Sequence, residues 1–361
     1  WLEAAGANSN GSTWFDRTNY FEWMPSNALP LALWLNADRM GWLLPTMDQQ
    51  KVDLQRDVVK NERRQGTDNV PYGRAYETIL HTLFPAGHPY SWETIGSMED
   101  LSAASLEDVK QFFRTYYAPN NATLVIAGDF EPDSAKAWVA RFFGPVPRGP
   151  QLPPRPVVAS FSVPRDTFVV LEDKVQLPRL YYAWHGVRQY SPDDAALDVL
   201  AYVLAGDKNS RLYKRLVYDM QVAQDVNAGH QSYKLDGMFI VDVTPKPGQT
   251  PAAMARLADE EIAKVADAGI DARELDRAKN LLRASFLDRI ASVMGKSDIL
   301  NHYNYIAGDP DYVQRDAARY DAVTAADVQR VARQYLTSTH RVVLTVVPEG
   351  KKDMMVTRAQ P

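Results

Sequence analysis

Ser105-Leu-Glu-Asp-Val-Lys-Gln-Phe-Phe-Arg-Thr-Tyr116 and Thr324-Ala-Ala-Asp-Val-Gln-Arg-Val-Ala-Arg-Gln-Tyr335 read as one pattern written twice, 219 residues apart (324 less 105). Asp108 meets Asp327, Val109 meets Val328, Arg114 meets Arg333 and Tyr116 meets Tyr335. Each copy opens with Ser/Thr-x-x-Asp, where the hydroxyl can cap an orphan N–H at a helix start. Each then runs into an apolar stretch of β type, 122–127 and 341–347. Two ordinary helix–strand units can agree this far by pattern alone. The other reading, a duplicated α+β unit, makes the two parts of the chain structural copies, and two copies do not make a solenoid.

Between the copies, residues 144–164 hold seven prolines, from Pro145 to Pro164. Proline at that density cannot run through a helix or a central strand, so the stretch reads as an extended linker. We therefore expect a first α+β domain over 1–150, a Pro-rich linker over 151–166, a second α+β domain over 167–350 and a tail over 351–361. Strands are expected near 7–13, 19–23, 123–128, 167–172, 180–186, 221–231 and 238–244. Helices are expected near 28–40, 47–65, 75–83, 106–117, 132–143, 193–204, 250–268, 271–293 and 325–334. Strands and helices do not alternate strictly, so each domain should be a mixed or antiparallel sheet with helices packed on one face.

The bulk numbers bound the function. The chain has 361 residues, enough for two domains with cores of their own. Net charge is −5, with basic residues scattered, which argues against a nucleic-acid surface. Mean hydropathy is −0.35 and no stretch approaches the roughly 18 apolar residues of a membrane span. Cysteine is absent, which removes thiolate zinc sites, disulfides and a cysteine nucleophile. The start, Trp1-Leu2-Glu3, has neither an initiator Met nor a signal-peptide pattern, and suggests that sequence precedes it.

The helix over 47–65 is the most informative for chemistry. Leu54 and Val58 lie four apart, and Val52 and Val59 seven apart, which defines an inward stripe. Gln55 and Glu62, seven apart, share a face to within about 20°. A carboxylate at the edge of an apolar stripe is costly unless it is paired, hydrogen-bonded or on a metal. Glu62 also sits in the charged run Lys60-Asn-Glu-Arg-Arg64, and composition alone assigns it to a solvated face. The six histidines do not decide the matter: none forms a His-x-x-x-His pair around a Glu in either order. His81 reads as a packed or surface residue, and His88, in a turn-rich segment, as locally hydrogen-bonded. Gly206-Asp-Lys-Asn-Ser210 lacks phosphate-loop spacing and reads as a turn before a helix at Arg211. Serine-hydrolase elbows, Walker loops and dinucleotide fingerprints are missing.

Several segments taken in order resemble the pitrilysin/insulinase family of zinc metallopeptidases, which includes the mitochondrial processing peptidase. They are Gly6-Ala-Asn-Ser-Asn-Gly-Ser-Thr13 with Asp16-Arg-Thr-Asn-Tyr20, then Leu31 to Met40, then Arg56-Asp-Val-Val-Lys-Asn-Glu62. Pro71-Tyr-Gly, Phe84-Pro-x-Gly-His-Pro-Tyr90, Ile95-Gly, Tyr117-Ala-Pro-Asn-Asn-Ala122 and Asn209-Ser-Arg-Leu-Tyr-Lys-Arg-Leu216 follow. The resemblance implies the metallohydrolase fold of processing-peptidase type and makes Glu62 the third ligand of a zinc ion. It implies a His-x-x-Glu-His motif about fifteen residues before Trp1, supplying the other ligands and the general base. The resemblance also implies that substrate peptide pairs with the strand over 7–13, with Asn10 and Gly11 closest to the scissile bond. Gln55 stands where the family commonly has a supporting glutamate; it keeps hydrogen bonding and loses the charge.

By the same resemblance, this chain is one half of a clamshell whose second half lies on the same polypeptide or in a partner subunit, and the charged tail from Glu349 could begin that connection. The expected activity is zinc metalloendopeptidase in the complete protein, with the chain alone inactive. A non-catalytic family subunit is the alternative, and a peptide-binding module using the 7–13 edge is a third reading. Bacterial relatives of this type suggest the periplasm.

Overall fold

The structure is a computed structural model and describes residues 1–158, 161 and 163–358. The chain forms two compact units. One comprises Trp1–Gln65, Thr94–Val157 and Arg289–Pro310; the other comprises Gly66–Glu93, Val158–Asp288 and the residues from Asp311 onward. The units therefore depart from a cut at the linker: each takes one segment from the other half of the sequence. The exchange is reciprocal, since 66–93 displaced by 219 becomes 285–312, which contains Arg289–Pro310.

The first unit opens with a hairpin of β1 (Asn8–Trp14) and β2 (Arg17–Trp23), antiparallel in register Asn8↔Trp23 to Trp14↔Arg17. Then come α1 (Leu29–Trp42) and α2 (Gln49–Arg63), whose N-cap Asp48 accepts from the Lys51 N–H. The segment given to the other unit carries α3 (Ala75–Leu83). After it stand α4 (Met98–Ala103), α5 (Leu106–Tyr116) and α6 (Pro132–Phe143). The core of this unit is thin and built on small residues: Ala32, Leu33 and Ala37 of α1 and Ala135 of α6, with α1 lying along α6. A Cβ on Gly41 would come within 3.1 Å of Val146, so glycine there lets the chain pass close to α1.

The second unit is built on five strands. They are β3 (Thr167–Asp173), β4 (Arg179–His185), β5 (Ala223–Ser232), β6 (Gly237–Pro245) and β7 (Val342–Pro348). Their order is β3-β7-β4-β6-β5, with β3 and β7 parallel and every other pair antiparallel. The helices are α7 (Asp194–Ala205), α8 (Pro251–Ala268), α9 (Ala272–Ala291), α10 (Val293–Ile306, given to the first unit), α11 (Val313–Ala322) and α12 (Ala325–Tyr335). Period-2 alternation sends Leu180, Tyr182 and Trp184 of β4 and Phe239, Val241 and Val243 of β6 into one core with α7, α8 and α12. Val342, Leu344 and Val346 of β7 point the other way and are also fully buried. On that side α3 lies against β4 and β7 and buries Ile79, Leu80 and Leu83. The α+β class and the pair of related units stand as expected from the sequence.

Two local expectations need correction. Residues 123–128 form no strand. Their counterpart β7 is held between β3 and β4, whereas the first unit's sheet among the described residues contains only β1 and β2. A strand exists only where another backbone takes its N–H and C=O groups. The stripe of α2 is not inward either: Leu54 is 68% exposed and Val58 40% exposed, while Val52 and Val59 are half-buried. The tail folds back on the second unit, with Val356 buried and its N–H bonded to Thr345 Oγ1 at 3.0 Å. Residues 359–361 of that tail lie outside the described residues. The helices α4, α10 and α11 were not foreseen.

Candidate functional site

Glu62, Gln55, Asn10 and Gly11 all fall in the first unit. Two arginines seven apart fasten one side of α2: Arg56 donates to Asp53 at 2.5 Å and to the Ala104 carbonyl, and Arg63 donates to the Gly96 carbonyl at 2.7 Å. At 100° per residue, Gln55 and Glu62 lie roughly 100–120° around the helix from that fastened side. They flank the uncovered Leu54 and Val58, and both are exposed. Among the described residues Glu62 has no hydrogen bond or ion pair, so its carboxylate is free to serve as a ligand. Among those same residues it belongs to no group of three side chains able to hold a metal.

β1 is exposed along its whole length. Gly11 pairs with Tyr20, and its N–H is taken by the Asn10 side chain at 2.8 Å. A Cβ at Gly11 would meet the Asn19 carbonyl at 3.1 Å and the Tyr20 ring at 3.3 Å, so glycine fits closely here. Beside Asn10 opens a cavity of about 270 Å³ lined by Ser9, Tyr20, Glu22, Asn36 and Arg39. The Arg39 guanidinium lies 3.7 Å over the Tyr20 ring and donates to Asn36, whose amide donates to Glu22 at 3.0 Å. Burial, with help from the Tyr117 hydroxyl 3.3 Å away, pushes the Tyr20 phenol up to about 12, so it stays protonated and able to donate. Burial also lowers the pKa of Arg39. The cavity offers fixed donors and an aromatic wall beside an open strand. Sequence reading passed over Arg39; its position three residues after Asn36, on the same helix face, was the available signal.

The remaining candidates follow the bland readings. His81 is exposed. His88 is buried and its Nδ1 accepts from the Tyr90 N–H at 2.9 Å, the local bond expected of it; burial lowers its pKa. The 206–210 segment is a turn, in which Asp207 accepts from the Asn209 N–H at 3.0 Å. Arg211, just beyond it, forms a two-pronged pair with Glu274 at 2.6 and 2.8 Å.

Comparison with known proteins places this geometry in a wider setting. Residues 103–282 match the Peptidase M16 inactive domain. The zinc protease PqqE of Helicobacter pylori is 27% identical over 95% of this chain and 77% of that protein. An uncharacterized zinc protease of Mycobacterium leprae, ML0855, is 27% identical over 98% of this chain and 78% of that protein. Among solved structures, a protease from Helicobacter pylori superimposes with a TM-score of 0.89 at 25% identity, covering 96% of this chain and 84% of that one. Described helices include none long and apolar enough to cross a membrane. Over nearly its whole length, then, the chain is similar to zinc proteases and their M16 relatives, and these similarities support the M16 peptidase family.

Proposed function

We propose that this chain is the zinc-ligand-bearing half of an M16-type zinc endopeptidase. The observation that carries the reading is similarity to proteins named zinc proteases along 95% and 98% of the chain, with Glu62 standing exposed and unpaired on α2. In this reading Glu62 is the third protein ligand, and a histidine pair from a His-x-x-Glu-His helix upstream of Trp1 completes the set. When bound, zinc supplies Lewis-acid polarisation of the scissile carbonyl. Substrate peptide lies along β1 as an added strand. For it to pair at Gly11, the Asn10 side chain must release the Gly11 N–H, so Asn10 guards the register at the cleavage point. The cavity under Tyr20 and Arg39 receives a substrate group beside that strand. The uncovered Leu54 and Val58 are the surface on which the motif helix packs. A second family half, on the same polypeptide or in a partner subunit, closes the chamber, and the compartment is the periplasm.

The test uses the complete protein. Glu62→Gln is expected to abolish bound zinc and peptide cleavage while leaving the fold intact by circular dichroism. Full zinc occupancy and undiminished cleavage in that variant would sink the reading. A second reading, a non-catalytic family subunit, is favoured by the match of residues 103–282 to an inactive domain and by Gln55 in place of a carboxylate. Sequence upstream of Trp1 separates the two: without His-x-x-Glu-His there, the non-catalytic reading stands.

A further inference from the structure

The second unit holds a side-chain cluster that the proposed peptidase chemistry does not use. Asp194 and Asp198 lie one turn apart on α7 and so project from the same face. His230 reaches them from β5, which packs against α7. His230 Nδ1 lies 2.8 Å from Asp198 Oδ1 and 3.8 Å from Asp194 Oδ1. All three donor atoms fall within 4.8 Å of one another. Zinc held by ligands at 2.0–2.2 Å spaces them by roughly 3.3–3.6 Å at tetrahedral angles, so small side-chain shifts suffice. The imidazole is fully buried and the Asp194 side chain is 2% exposed.

The outer oxygens of both carboxylates are already fixed. Asp194 Oδ2 accepts from the Tyr190 N–H at 2.9 Å and from Arg319 at 2.9 Å, and Asp198 Oδ2 accepts from the Tyr320 hydroxyl at 2.6 Å. That leaves Asp194 Oδ1 buried, with the Ser232 side chain as its polar neighbour, and turned toward the other two donors. Oriented carboxylates whose far oxygens are held by a guanidinium and a phenol, with near oxygens converging on an imidazole, have the build of supported metal ligands. The charges favour a cation too. Two carboxylates face the imidazole, and the guanidinium beside them, Arg319, divides its charge between Asp194 and Asp316.

We propose that Asp194 Oδ1, Asp198 Oδ1 and His230 Nδ1 form a divalent transition-metal site in the second unit, separate from the one assigned to Glu62. One imidazole and two carboxylates suit Zn²⁺, Mn²⁺ or Co²⁺ rather than the all-oxygen ions Mg²⁺ and Ca²⁺. Binding displaces the proton between His230 Nδ1 and Asp198, either to solvent or to Nε2 of the same ring. With three protein ligands and a buried surround, the site serves to hold α7, β5 and α11 together.

The test titrates the chelator-stripped 361-residue chain with Co²⁺ and then Zn²⁺. One equivalent of Co²⁺ should bind with visible ligand-field bands, and Zn²⁺ should displace it and raise the melting temperature. Asp198→Asn and His230→Gln should each weaken binding by more than about a hundredfold, and Tyr320→Phe by roughly tenfold. Glu62→Gln should bind as tightly as the parent, which keeps this site distinct from the first. Should the ligand variants fail to fold, anomalous diffraction from zinc-soaked crystals of the parent decides. A peak between Asp194, Asp198 and His230 supports the site. A peak elsewhere, the lack of one, or Co²⁺ binding unchanged in Asp198→Asn overturns it.

Discussion

The two units contain the same helix start and do different things with it. In α5 the Ser105 hydroxyl accepts from the Asp108 N–H at 3.1 Å while Asp108 accepts from the Ser105 N–H at 2.9 Å; in α12 Thr324 and Asp327 repeat this at 3.1 and 3.0 Å. Yet α12 buries Val328, Val331 and Ala332, and α5 buries none of its residues. Downstream, β7 is a buried central strand, whereas 123–128 forms no strand and has no fully buried residue. At the 219-residue offset, β5 and β6 correspond to 4–13 and 18–26, which overlap β1 and β2. The difference teaches that local signals set a helix and its cap, while a strand and a core require partners.

The largest effect that could break this comparison comes from a Leu→Ala substitution in each of the stretches 341–347 and 122–127, at positions one residue out of register at the 219-residue offset. Leu344→Ala, on a fully buried strand, should cost about 2–5 kcal/mol in urea unfolding. Leu124→Ala, 47% exposed, should stay within about 0.5 kcal/mol. Equal costs would mean that 122–127 is packed in the first unit after all.

Next in size is Asp236, just before β6 in the second unit, whose counterpart at the same offset is Arg17. Burial pushes its carboxyl up to about 6. A raised acid pKa means that the native state binds the proton more tightly, so stability falls as pH rises from about 4 to about 6 and then levels. Asp236→Asn should remove that decline, on the order of 2 kcal/mol, as read from unfolding midpoints at pH 4.5 and 7.5. A decline of the same size in the variant would assign it to other groups.

Smaller still, Thr324→Ala and Ser105→Ala should each cost about 1 kcal/mol of helix stability. The first should shift the unfolding transition, because α12 is packed on α7 and α8; the second should appear mainly as faster amide exchange in α5. Both Asp108 and Asp327 are held below the usual carboxylate range, chiefly by their cap hydroxyls. Their contribution is therefore present above about pH 4 and is lost as pH falls below it, alike in the two copies. The smallest effect is Leu54→Ala, within about 0.5 kcal/mol in the 361-residue chain because that side chain is exposed. In the complete protein a larger cost would sharpen the comparison by marking α2 as half of a missing interface.

Much of the fold was legible in residues. The expected helices over 75–83 and 132–143 match α3 and α6 to the residue, since period-3.6 stripes, and Pro132 in the first turn of α6, are local signals. The 271–293 expectation ran on to the boundary between α9 and α10, where Ser292 ends one helix and caps the next by accepting from the Gly295 N–H at 2.9 Å. Glu62 and Asn10 were singled out through the ordered family segments, and their roles are part of the proposal. The Asp194–Asp198–His230 cluster was not, because 32 residues separate His230 from Asp198 and only the packing of β5 on α7 joins them.

By itself the sequence determined the α+β class, the twofold repeat and the position of nine of the twelve α-helices among the described residues, because propensity, capping and periodicity act over a few residues. Only the tertiary structure decided which apolar runs become strands, which helix faces are covered and how the two copies exchange equivalent segments. Those outcomes depend on backbone partners and buried area supplied from far along the chain, and no local pattern carries that information.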